Sequence, residues 1–288
     1  MARPLIVGIL NITADSFSDG GRFLATDAAI AHGRGLVAGG ADVVELGAAA
    51  SNVAAAPVAP AEEIARLDPV LAALARTGAV LSVDSFAPAV QRFALSCGVD
   101  YLNDIRGFPD PTLYPDLAAA RCRLVVMHAI AVQDRAQRVD VAADEVWPRI
   151  EGFFAERIAR LSAAGIARER LILDPGMGFF LSRRPETSFR VLAGVERLKR
   201  AFGLPVMISV SRKSFLAAAT GRRNPAELGP ASLVAELFAA AHGADLIRTH
   251  DPAALIDGLA VTASLAEASD RAAPTLASEQ GAGCEPGG

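Results

Sequence analysis

Leu5-Ile6-Val7-Gly8-Ile9-Leu10, followed at once by Asn11, decides the fold. An apolar run of this length, rich in Leu, Ile and Val, has the pattern of a parallel strand covered on both faces, and the amide marks its end. The pattern returns seven times, at Asp42–Leu46, Val80–Asp84, Tyr101–Asn103, Leu124–Met127, Leu171–Asp174, Val206–Val210 and Asp245–Thr249. Between the runs lie stretches of helical length: Asp27–Ala38, Glu62–Ala75, Ala89–Ser96, Thr112–Ala120, Asp144–Ala164, Ser188–Phe202, Pro230–His242 and Pro252–Glu267. Glycine follows many of them just before the next strand (Gly39-Gly40, Gly78, Gly98, Gly165, Gly203, Gly243), where a left-handed residue ends a helix.

Eight strand–helix units of even length predict an α/β fold, a single-domain (β/α)8 TIM barrel over residues 1–267. An open doubly wound sheet is the alternative that the same alternation permits, but no G-x-G-x-x-G follows the first strand. From Ala268 to the end the chain turns to Ala, Ser, Gly, Glu and Pro, which reads as a disordered tail.

The totals narrow the function. Of 288 residues 52% are hydrophobic, enough for a sizeable core in one large domain or two small ones. A net charge of −4 gives no basic bias toward nucleic acid or an acidic membrane. Cys97, Cys122 and Cys284 form no C-x-x-C pair, which fits a reducing cytoplasm better than a disulfide framework or a zinc site. The first ten residues are too short and interrupted for a secretory signal, and no apolar run is long enough to span a membrane. The sequon Asn11-Ile12-Thr13 is therefore discounted.

Polar residues gather where the strands end: Asn11, Asp84, Asn103-Asp104, Met127-His128, Asp174, Ser211-Arg212-Lys213, Arg248 and His250. In a barrel these ends share the face that carries active sites. Any one of them has a simpler meaning; Asp84 before Ser85 suits a helix cap. Asp84, Asn103 and Asp174 together suit the donor edge of a flat heterocycle such as an aminopyrimidinone, with Lys213 on its carbonyl oxygen. Arg248, His250 and Asn11 suit an anionic group at the mouth. Ser211-Arg212-Lys213-Ser214 opens a helix and suits a carboxylate. Asp15–Gly21, with its Gly pair, reads as a loop able to close over the site, although a plain surface loop is the commoner meaning of such a run.

These residues carry a family resemblance. Gly8-Ile9-Leu10-Asn11-Ile12-Thr13-Ala14-Asp15-Ser16-Phe17-Ser18-Asp19-Gly20-Gly21 resembles the opening signature of the dihydropteroate synthases. Ser82-Val83-Asp84-Ser85, Asn103-Asp104-Ile105, Asp174-Pro175-Gly176, Ser211-Arg212-Lys213-Ser214 and Ile247-Arg248-Thr249-His250 are similar to later motifs of that family, in order.

The resemblance implies a homodimer that joins 6-hydroxymethyl-7,8-dihydropterin pyrophosphate to p-aminobenzoate and releases pyrophosphate, with Mg2+ on the leaving group. It implies catalytic roles for Lys213, Arg248 and Asp84. Asp84, Asn103, Met127, Asp174, Phe179 and Lys213 would bind the pterin, although Met127 and Phe179 fit plain core packing equally well. Asn11, Arg248 and His250 would hold the pyrophosphate, with Asn11 toward the metal. Ser51, Ser214 and Phe180 would meet p-aminobenzoate.

Two stretches depart from the common pattern. Ala48-Ala49-Ala50-Ser51-Asn52-Val53-Ala54 stands where the family usually reads Gly-Glu-Ser-Thr-Arg-Pro-Gly, so Asn52 replaces a loop arginine. Gly178-Phe179-Phe180-Leu181-Ser182 stands where Gly-Phe-Gly-Lys is frequent. Both look like the mobile, sulfonamide-resistant branch, so a sulfonamide-insensitive enzyme is expected. A methyltetrahydrofolate–corrinoid methyltransferase on the same barrel is the alternative, and it would lack the Ser-Arg-Lys-Ser motif. A non-catalytic pterin-binding protein is the other.

Overall fold

The computed structural model describes residues 3–12, 22–49, 58–130, 140–222 and 224–272. Its strands are β1 (Leu5–Asn11), β2 (Val43–Gly47), β3 (Leu81–Asp84), β4 (Tyr101–Asp104), β5 (Arg123–Met127), β6 (Leu171–Asp174), β7 (Met207–Ile208) and β8 (Leu246–Thr249). All pair in parallel, in the order β6-β5-β4-β3-β2-β1-β8-β7. A parallel bridge between Leu173 and Val206 joins the two ends, so the sheet closes into the expected barrel and the open-sheet alternative falls.

The helices are α1 (Arg22–Ala38), α2 (Pro60–Ala75), α3 (Pro88–Ser96), α4 (Tyr114–Ala119), α5 (Val146–Ala163), α6 (Pro185–Leu192), α7 (Val195–Phe202), α8 (Ser214–Thr220), α9 (Gly229–Ala241) and α10 (Pro252–Ala272). Gly40, Gly78, Gly98, Gly165, Gly203 and Gly243 all have positive φ, as expected of glycines that end helices.

The structure changes three details. The helix expected over Ser188–Phe202 is two, with Gly194 at φ −112° between them and packed against Trp147, where a Cβ would stand 2.2 Å from the indole ring. β7 keeps only two of five expected residues. α10 runs to Ala272, past the expected boundary at Ala268; residues 273–288, like the Asp15–Gly21 loop and the Ser51–Asn52 stretch, lie outside the described residues.

Alternation along the strands places the site. Successive side chains point to opposite faces, so one set faces the helices and the other the barrel interior. Val7, Val43, Val125, Ile172, Met207 and Leu246 form a separate apolar cluster with Tyr101 against it. Two residues further along each strand the interior turns polar: Glu45, Asn103, Asp174, Ser209 and Arg248, with Ile9 and Met127 among them. Beyond these stand Asn11, Gly47 and His250. The apolar layer therefore plugs the barrel, and a polar bowl opens above it at the carboxyl ends of the strands.

Candidate active site

The bowl is a cavity of about 500 Å³, within the range of small-molecule sites. Asn11, Asp84, Asn103, Met127, Asp174, Phe180, Lys213, Arg248 and His250 all line it. Strand ends that are up to 237 positions apart in sequence, Asn11 and Arg248, thus reach one space.

Glu45 organises the bottom, and nothing in the motif reading named it. It is 1% exposed and forms an ion pair with Arg248. Its Oε2 also accepts from Ser82 Oγ at 2.9 Å, and Asn103 Nδ2 lies 3.3 Å from both of its oxygens. That arrangement turns the Asn103 amide so that Oδ1 is the end left over. Oδ1 is buried and has no partner among the described residues. An unpaired buried acceptor is costly unless a donor fills it, so the geometry calls for an N–H from a ligand.

Arg248 sits lower than expected. It is held by Glu45 and, at 3.1 Å, by Asp84, rather than standing free at the mouth. Burial opposes its charge, but these carboxylates outweigh that and raise its pKa. Asp84 therefore does not cap a helix; α3 follows Ala87 with no side-chain cap, and Ser85 Oγ accepts from Ala87 N at 3.2 Å in the turn before it.

Burial dominates the other titrations. It raises the Asp84 pKa, with Arg248 opposing, and raises that of Asp174 to about 6, with the Gly176 N–H and Lys213 opposing. It lowers Lys213 to about 8, Arg248 adding to the effect and Asp174 opposing. His250 falls to about 3 through burial and the nearby Arg212, Arg248 and Lys213, so its imidazole is neutral at pH 7. Two carboxylates reluctant to ionise and an ammonium reluctant to stay charged describe a site prepared for a ligand that supplies donors to the former and an acceptor to the latter.

The turn after β6 shapes one wall. Asp174 Oδ1 accepts from Gly176 N at 2.8 Å, and Gly176 has φ +73° with the His128 carbonyl where its Cβ would be. Phe180 lines the cavity, with Lys213 Nζ 5.0 Å from its ring centre, so it does not face away into the rim. Phe179 corrects an expectation: it is 42% exposed and is absent from the cavity wall. Ser214 is half-buried beside Gly178, whose Cβ would lie 3.2 Å from its Oγ. Two polar residues at strand ends prove to be supports. Asp104 accepts from Gln91 Nε2 and from the N–H groups of Arg106 and Phe108. His128, its pKa lowered to about 4 by burial, meets the Pro175 carbonyl at 3.0 Å.

Fold and cavity together define a barrel enzyme of the pterin-binding class, and the family of pterin binding enzymes matches residues 7–250. The chain is 59% identical over 269 residues to dihydropteroate synthase type-2 from Escherichia coli, covering 93% of this chain and 98% of that one. It is 50% identical over 260 residues to the type-3 enzyme from Escherichia coli, covering 90% and 98%. Two solved structures of the Xanthomonas albilineans dihydropteroate synthase are each 36% identical. The one with 4-aminobenzoic acid has a TM-score of 0.83 and covers 94% of both chains. The one with 7,8-dihydropteroate has a TM-score of 0.79 and covers 94% of this chain and 95% of that one. The chain belongs to the dihydropteroate synthases, a family of transferases, and groups with their numbered types.

Proposed function

We propose that this protein joins 6-hydroxymethyl-7,8-dihydropterin pyrophosphate to p-aminobenzoate, forming 7,8-dihydropteroate and pyrophosphate for folate biosynthesis. The observation that carries this reading is the unpaired Asn103 Oδ1, buried between Asp84 and Asp174 on a wall completed by Lys213. Three acceptors and one ammonium match a flat ring with an amino and N–H edge and one carbonyl oxygen. Met127 supplies an apolar surface beside that ring.

In the reaction the C–O bond to pyrophosphate breaks and its electron pair leaves with the phosphate. The methylene carbon, positively charged as it opens, is captured by the lone pair of the aniline nitrogen, which then loses a proton. Asp84 and Asp174 stabilise the cationic side, and Arg248 with His250 and Asn11 the departing anion. The described residues hold no cluster of three or more His, Cys, Asp or Glu fit to bind a metal. Asn11, lining the cavity near Gly47, offers one amide oxygen. That suits a Mg2+ ion shared with the pyrophosphate, which would neutralise phosphate charge.

Ser214 is assigned to the carboxylate of p-aminobenzoate, with Phe180 over that subsite as the basis of sulfonamide insensitivity. The exposed apolar face of α6, α8 and α9, including Val234 and Phe238, is suited to a second copy of this chain, giving a homodimer. A cytoplasmic setting fits the free Cys97 and Cys122; among the described residues no helix is long and apolar enough to cross a membrane.

The test is to incubate purified protein, Mg2+ and both substrates and follow pyrophosphate and dihydropteroate. Equal release of the two supports the reading. Pterin binding without pyrophosphate release refutes it in favour of a binding protein.

A further inference from the structure

Glu236 lies outside the cavity wall, on α9, and is 2% exposed. The hydroxyls of Ser211 and Thr249 are near enough to stabilise its charged form, and its Oε1 has no partner among the described residues. Thr249 Oγ1 already accepts from Asp251 N at 3.1 Å. Ser211 Oγ accepts from the His250 backbone N–H at 3.3 Å and lies 3.0 Å from His250 Nδ1. A line of contacts therefore runs from a buried carboxyl on an outer helix, through one hydroxyl, to an imidazole on the cavity wall.

We propose that Glu236 is a positioning residue for the leaving-group subsite: through Ser211 it sets the tautomer of His250, so that Nε2–H faces the pyrophosphate. The proton count decides between two arrangements. With Glu236 protonated, its O–H donates to Ser211 Oγ and the Ser211 proton goes to His250 Nδ1. The neutral ring then carries its own proton on Nε2 and donates to the anion. With Glu236 ionised, the Ser211 proton turns to the carboxylate. His250 must then place its proton on Nδ1 to keep the bond, and it presents a bare lone pair to a phosphate. Burial raises the Glu236 pKa to about 7 against the hydrogen bonds from Thr249 and Ser211. The charged groups facing it are Asp251, which raises it further, and Arg212, which lowers it. The first arrangement therefore holds below neutrality and gives way above it.

The inference rests on the synthase reading for its purpose but not for its test. The chain has four histidines, so 15N-histidine labelling is tractable, with His250→Gln assigning the signal. The full chain at pH 6 should show His250 protonated on Nε2 and shift toward the Nδ1 form by pH 8. Glu236→Gln, whose amide donates to Ser211 at every pH, should hold the Nε2–H form throughout. Glu236→Ala should mix the tautomers and lower kcat/KM for the pterin pyrophosphate about tenfold or more, the scale at which orienting partners of ligating histidines act, with KM for p-aminobenzoate unchanged. An Nδ1–H ring at pH 6, or a Glu236→Gln protein that titrates like the wild type, overturns the proposal even if Glu236→Ala does not fold. If no substrate turns over while the tautomer shifts as described, the synthase reading fails and the Glu236–His250 coupling stands.

Discussion

Arg248, near the end of β8, and Glu45, in the middle of β2, form an ion pair that ties the last strand to the second across β1. The pair is structural, and under the proposed reading it serves the leaving-group subsite as well. Glu45 fixes the Asn103 amide and holds the guanidinium low in the bowl, where an anion arriving above Asp84 can meet it.

Glu45→Ala should lower the unfolding free energy by about 3 kcal/mol, because removing one partner of a buried pair strands the other charge. Asp84 remains as a partner for Arg248, which keeps the loss at the lower end of that range. Urea unfolding measures it. In a double-mutant cycle Arg248→Ala should cost less in the Glu45→Ala background than alone; additive losses would show that the pair is not coupled.

Asp174→Asn should abolish pterin use while stabilising the protein. The change presents a donor where the ligand also donates, and sites that read polar edges lose about 10²- to 10⁵-fold when that pattern breaks. Stability moves the other way. The Asp174 carboxyl has a folded pKa raised to about 6 from 3.8, so the folded state favours its proton. That contribution is complete below pH 3.8 and is lost as pH rises through about 6. The Tm of Asp174→Asn should therefore match the wild type near pH 3.5 and exceed it above pH 6. A variant less stable than the wild type at pH 7 would refute the account.

The barrel was legible because its strands are covered on both faces and hence nearly continuous in Val, Ile and Leu, and because glycine stops the helices between them. Motifs located Asn11, Asp84, Asn103, Asp174, Lys213, Arg248 and His250 because they stand at strand ends. Glu45 was missed because it lies inside a strand, yet it carries a signal: in Val43-Val44-Glu45-Leu46-Gly47 it falls on the same alternation as Val43, which faces the barrel interior. Glu236 has a weaker one, a single acid in the Ala-rich helix Gly229–Ala241. Phe179 and Phe180 are adjacent and alike, and only the short 3-10 turn Gly178–Phe180 decides which of them enters the cavity.

The pH dependence of kcat/KM should be bell-shaped. Asp84 and Asp174 must be ionised to accept the pterin's hydrogen bonds, so activity falls as pH drops through about 7 to 6. Lys213 must be charged, so activity falls again above about pH 8, and that limb should survive in Glu236→Gln. Lys213→Ala should lose most of its activity together with the fall near pH 8, leaving on the alkaline side only the fall through about pH 7 that follows Glu236. A profile flat from pH 5 to 9 would place the pterin elsewhere.

Gly176→Ala should cost about 2–3 kcal/mol, since it joins an unfavourable φ of +73° to a Cβ only 2.3 Å from the His128 carbonyl oxygen. Gly78→Ala is the control. Its φ is +77°, but no atom lies within 4 Å of the new Cβ, so about 1 kcal/mol is expected. Equal losses in the two would show that the contact behind Asp174 is slack.

Phe180→Gly should sensitise the enzyme to sulfonamides far more than it changes the KM for p-aminobenzoate. The two molecules share an aniline ring and differ at the far end, where one carries a small planar carboxylate and the other a tetrahedral sulfonyl with a bulky substituent. Discrimination therefore requires bulk beyond the carboxylate and nowhere else. Phe180 offers it: its ring lies on the cavity wall, 5.0 Å from the Lys213 ammonium, on the turn that also places Gly178 against Ser214. The Phe180 carbonyl accepts from Ile130 N at 2.9 Å, which holds the turn to the loop after β5 and limits how far the ring can retreat. A clash of about 3 kcal/mol that cannot relax is worth over a hundredfold in affinity. Inhibition constants for a sulfonamide and KM for p-aminobenzoate, measured side by side in wild type and Phe180→Gly, decide the matter. The inhibition constant should fall by about two orders of magnitude while KM moves a fewfold. Equal shifts in both would make Phe180 a general wall of the subsite, and continued resistance would move the discrimination to another part of the rim.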